Sequence, residues 1–180
     1  MKNRVFSAAK LDVEAFAHDG ASLEGQWPAT ELERLADAAA AEAPAAGWPA
    51  VNWLLEGEAR ARRAAEPEIW LHLQADAQVS LTCQRCLRPV REHLEVDRSI
   101  LFVRGEDEAA SLDADSEDDV LALPRHLDAK ELIEDELLLA LPLVPRHDSC
   151  PQPLSAPAEE EAPVEDKPNP FAALKALKKG

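Results

Sequence analysis

The chain has 180 residues, 46% of them apolar, which suits one packed domain with tails. Its formal net charge of −16 opposes any coating of phosphate by bulk electrostatics. Its longest apolar run, Leu137–Val144, is broken by Pro142 and falls far short of the roughly 20 residues that span a bilayer.

At the N-terminus, Lys10 and Asp12 interrupt the apolar stretch before a signal-peptide core could form, which predicts a cytoplasmic protein. Val5, Phe6, Leu11, Val13 and Phe16 are followed by the turn-like His18-Asp19-Gly20. Thr30 with Glu33 reads as a capping box, predicting a helix near Glu31–Glu42 that Pro44 and Gly47 end. From Ile69 to Cys83 the odd positions are Ile, Leu, Leu, Ala, Ala, Val, Leu and Cys, while the even ones are mostly polar. That period of two belongs to a strand with one buried face. Val51–Ala61 alternates in the same way, and Val90–Val103 buries its even positions. Three long strands with short links predict an antiparallel meander.

Acidity is segregated: residues 105–119 carry eight acids and no base, whereas Trp48–Arg104 balances eight arginines against eight acids. The 105–119 stretch reads as a solvated acidic loop. Val120–Leu123 reads as a short strand, and Asp128 as the cap of a helix carrying Leu132, Ile133, Leu137 and Leu141, stopped by Pro142 and laid over the sheet. After Cys150 the composition turns to Pro, Ala and Glu, and the chain closes on Phe171, Leu174 and Leu177 at helical spacing among lysines. The expected class is therefore α+β. A strongly twisted antiparallel meander, barrel-like in its closure, and its covering helices occupy residues 1–150; a disordered linker follows over 151–168 and a short amphipathic tail over 169–180.

Three cysteines in a chain with no export signal point to reduced thiols or a metal rather than a disulfide framework. Cys83-Gln-Arg-Cys86 admits a metal grip or a dithiol–disulfide cycle, and the latter would make the protein a thiol-disulfide oxidoreductase. Redox pairs open a helix beside a βαβ unit, where the dipole lowers the thiol pKa, but this pair lies between two strands. His147 and Cys150 are either simply loop residues or two further ligands; in the second case Cys83, Cys86, His147 and Cys150 are a candidate Cys3His set for one structural zinc ion, with no position left open for catalysis. Arg85, Arg88 and Arg91 cluster on and beside the turn with His93, a patch able to meet phosphates or simply to solubilise the surface. No phosphate loop and no nucleophile or zinc-protease motif is present, which predicts a protein that is not an enzyme and has no small-molecule substrate.

LTCQRCLRPV (Leu81–Val90), ELIEDELLLALPLVPRHDSC (Glu131–Cys150) and KPNPFAALKALKK (Lys167–Lys179) together resemble the bacterial YceD family. Its members are large ribosomal RNA subunit accumulation proteins. The resemblance implies a role in the synthesis, processing or stability of 23S rRNA. The implied partners are large-subunit rRNA or pre-ribosomal particles, met directly or through a protein. Asn169, Pro170 and Phe171 belong to the signature and, after a flexible linker, suit a segment that folds on binding or one that packs back on its own domain. A zinc-stabilised adaptor unrelated to ribosomes is the competing binding role.

Overall fold

The computed structural model describes residues 4–63 and 65–151. One five-stranded sheet runs in the order β1 (Ser22–Trp27), β2 (Val51–Arg60), β3 (Glu68–Thr82), β4 (Pro89–Val103) and β5 (Asp119–Ala122). The first three pairings are antiparallel. The alternation in the sequence is the alternation of burial: Leu71, Leu73, Ala75, Ala77, Val79 and Leu81 of β3 all face the core, opposite Val90, Leu94, Val96, Ile100 and Phe102 of β4. The covering layer is α1 (Val13–His18), α2 (Glu33–Asp37) and α4 (Ala129–Leu139), with α3 (Glu106–Asp113) beside β5. No helix among the described residues is long and apolar enough to cross a membrane.

The architecture is α+β as expected, with two corrections to the sheet. β5 pairs parallel to β4, so the sheet is mixed, and its strand order is open rather than barrel-like. The parallel pairing follows from the segment expected as an acidic loop, 105–119. Its first residues form α3, which acts as a crossover and returns the chain in the direction of β4. Glu106, Asp107 and Glu108 sit in the first turn, where acids complement the helix dipole, and Ala109 provides the buried contact. Asp113 Oδ1 then accepts the N–H of Val120 at 3.1 Å, tying the helix to the strand it introduces.

Helix α2 is shorter than its sequence suggests, and no side chain of its own segment caps it. Glu134 of α4 takes that place: its carboxylate accepts the N–H of Arg34 at 2.8 Å and of Leu35 at 3.2 Å, and Arg34 Nε at 3.1 Å. The alanines beyond α2 leave the helix because Ala40 N–H donates to Ser80 O of β3 at 2.9 Å. Helix α1, which the sequence pattern does not announce, is capped by Asp12 and lies so close to β2 that a Cβ at Gly57 would stand 2.7 Å from the Phe16 ring. The residues expected as linker and tail lie outside the described residues, apart from Pro151.

Candidate metal centre

Pairing of Thr82 with Pro89 closes the β3–β4 hairpin on a six-residue turn, Cys83–Arg88. Within it Cys83 N–H donates to Arg88 O at 2.9 Å, and Leu87 N–H donates to Cys83 O at 2.9 Å. Leu87 adopts φ +59°, the left-handed region that favours glycine. Cys83 prolongs the buried face of β3 and is fully buried.

The other half of the centre comes from the chain leaving α4. Pro142 forbids continuation of the helix. The exit segment then reaches the hairpin, where Pro145 O accepts Gln84 N–H at 2.8 Å. His147 Nε2 lies 3.0 Å from Pro89 O. A carbonyl can only accept, so Nε2 carries a proton, and in the neutral ring Nδ1 keeps its lone pair. That lone pair faces sulfur: Nδ1 is 3.5 Å from Cys86 Sγ and 4.0 Å from Cys150 Sγ. Cys83 Sγ and Cys150 Sγ are 3.9 Å apart, and all four ligand atoms lie within 4.8 Å of one another. Tetrahedral zinc, with Zn–S of about 2.3 Å and Zn–N of about 2.0–2.1 Å, needs ligand atoms about 3.5–3.8 Å apart. The cluster thus has the donor set and spacing for one metal ion, with an oriented histidine of the kind metal sites use.

Electrostatics match. Burial opposes ionisation of Cys83, but the backbone N–H groups of His147, Arg85 and Cys86 outweigh it and hold the thiol down at about 5. Burial pushes the Cys86 thiol up. Arg85 turns into the centre, donating Nε to Cys150 Sγ at 3.0 Å and Nη2 to His147 O at 3.0 Å. Three thiolates around a divalent ion would leave one negative charge, which this guanidinium is placed to balance. Arg85 looked in the sequence like part of a surface patch. Its position depends on where residues 147–150 come to lie, so no local motif announces it.

Arg88 pairs with Glu42 at 3.3 Å across the surface. Arg91 is exposed on β4 and lines a shallow groove with Glu92, Arg146, His147 and Asp148. His93 lies two residues beyond Arg91 on the same face of β4 and sits between Asp76 at 3.1 Å and Glu95 at 3.0 Å. Asn169, Pro170 and Phe171 lie outside the described residues.

The family described as "Large ribosomal RNA subunit accumulation protein YceD" matches residues 71–178. A protein of Haemophilus influenzae with that same description is 32% identical over 160 residues, covering 86% of this chain and 86% of its own. No solved structure matches the chain.

Proposed function

The chain belongs to the YceD family of large ribosomal RNA subunit accumulation proteins, and from that membership we propose that it is a non-catalytic factor for the build-up of 23S rRNA in the large ribosomal subunit, stabilised by one structural zinc ion. The observation that carries the role is the likeness over 86% of both chains to a protein so described. It acts in the cytoplasm, on pre-ribosomal particles, by binding. Cys83, Cys86, His147 and Cys150 hold the zinc, which locks the exit of α4 onto the hairpin turn. A closed four-ligand centre has no site for water or substrate, which supports binding over catalysis. Arg88, Arg91 and the Asn169-Pro170-Phe171 signature are the contacts this reading offers to the particle.

The low pKa of Cys83 would also suit a thiol-disulfide enzyme. The hydrogen bonds that produce it are those of a turn built around a metal thiolate, however, and Cys83 has no exposed surface for an attacking thiol. The test has two arms. Tagged chain should sediment with precursors of the large subunit, and its loss should lower 23S rRNA relative to 16S rRNA; migration wholly apart from those particles overturns the role. Protein purified without chelator should carry about one zinc per chain. A metal-free folded protein with a freely alkylated Cys83 overturns the zinc.

A further inference from the structure

The three thiols of the centre differ in what can reach them. Cys83 and Cys86 are buried, whereas Cys150 is the partly exposed member of the set. Cys150 also lies on the exit segment, outside any helix or strand, while Cys83 and Cys86 are held in the tight turn of the hairpin. Its sulfur is 3.9 Å from Cys83 Sγ. Arg85 donates Nε to the same sulfur at 3.0 Å, so a cation stands beside the thiol that solvent reaches. Exposure governs which thiol a small oxidant meets first, and a second thiol within reach converts the first product into a disulfide. Along the sequence the obvious partner of Cys83 is Cys86, three positions on. In space the sulfur open to an oxidant lies across the centre, on the other chain segment.

We infer that Cys150 is a site of reversible oxidation by hydrogen peroxide and that Cys83 resolves it, giving a Cys83–Cys150 disulfide rather than a Cys83–Cys86 one. The Cys150 thiolate attacks one peroxide oxygen; the O–O bond breaks, hydroxide leaves beside the Arg85 guanidinium, and a sulfenic acid forms. The Cys83 thiolate then attacks the Cys150 sulfur, forming the S–S bond and expelling a second hydroxide. The two sulfurs together give up two electrons, the peroxide oxygens accept them, and solvent protonates both hydroxides. The sulfurs must approach by about 2 Å to bond, a shift that falls to Cys150 because its segment is irregular and that of Cys83 is a paired turn. One consequence rests on the zinc proposed above: the ion would keep only Cys86 and His147 and be released. The exit segment would stay tied to the turn by a covalent bond, until a thiol reductant restored both ligands.

The test treats the full chain, purified without chelator, with an equimolar amount of hydrogen peroxide and maps its thiols by alkylation and mass spectrometry. Dimedone added with the peroxide traps sulfenic acid, and should label Cys150 about tenfold more than Cys83 or Cys86. Without dimedone, a Cys83–Cys150 bridge within one chain should dominate, Cys86 should be the thiol left to alkylate, and dithiothreitol should reverse the change. A dominant Cys83–Cys86 bridge, bridges between chains, first labelling at Cys83 or Cys86, or a Cys150 that reacts no faster than free cysteine overturns the inference. A chromogenic chelator should read about one zinc released per bridge formed. Zinc that stays bound once the bridge is complete overturns the ligand exchange. The metal and the oxidation fail separately. If the purified chain holds no zinc, the metal proposed above falls and the thiol map alone decides this inference; if zinc is present but the bridge forms elsewhere, only this inference falls.

Discussion

The centre of the sheet and the hairpin end of the molecule are held by different physics. At the centre, Leu55, Leu71, Leu73 and Ile100 are fully buried with Ile133 and Leu137 of α4, and stability comes from apolar area removed from water. At the hairpin end, leucines and a valine face solvent. There the two chain segments meet through Gln84–Pro145, His147–Pro89 and the four ligand side chains. On the proposed zinc reading, a fold built this way should have a core that tolerates metal loss and an end that does not.

The contrast can be strained from either side. The largest effect is expected from Leu73→Ala, which leaves a cavity in the core and should lower global stability by about 2–5 kcal/mol, read by urea unfolding. That loss should be the same with or without metal; a metal-dependent loss would mean that the two regions are not separate. Glu134→Ala should cost about 1.5–3 kcal/mol, because the first amides of α2 lose a charged acceptor, and Glu134→Gln should recover part of it. Stripping the metal, or Cys150→Ser, should leave the far-UV signal of the sheet intact while amides of 83–88 and 145–150 lose hydrogen-exchange protection. Leu87→Gly should be the smallest change and the only stabilising one. Relief of about 1–2 kcal/mol of left-handed strain is set against about 0.5–1 kcal/mol of added chain entropy.

Acid should divide the two regions as well. The folded Cys83 thiol titrates at about 5, below its unfolded value near 8.5. A depressed acid contributes stability that is fully present above the unfolded value and is lost as pH falls through the folded one. In metal-free protein, protection of the turn should therefore decline from about pH 8.5 towards pH 5, with Cys86, raised by burial, opposing that trend. Strand amides of β3 and β4 should not follow it.

Strands β2, β3 and β4 were legible because ten to fifteen residues of predominant alternation, broken only at places such as Trp70, Glu92 and Arg98, favour one period and one buried face. Helix α4 was legible from Asp128, whose carboxylate accepts the N–H groups of Lys130 and Glu131 as its position implies. What stayed hidden was set by distant partners. The cap of α2 comes from a residue 100 positions away, and the direction of β5 is decided by a crossover whose acids disguised it as loop. Strand β1 has one glycine among few apolar residues and owes its place to β2, where Trp53 fills the room that Gly25 leaves. At the site, cysteine and histidine spacing gave the four residues that converge. Arg85 and the carbonyl of Pro89 could only be recognised once the exit of α4 was laid on the turn.

The distance along the chain that the cluster bridges also sets an order of events. Cys83 and Cys150 are 67 residues apart, whereas β1 to β4 pair as successive neighbours. Short loops close first, and bringing distant residues together carries a larger loss of chain entropy. During synthesis the hairpin is complete long before Cys150 leaves the ribosome. Under the proposed zinc reading, metal capture would then be the closing step of maturation, and a chain cut short before residue 147 would present an assembled sheet with an unlatched end.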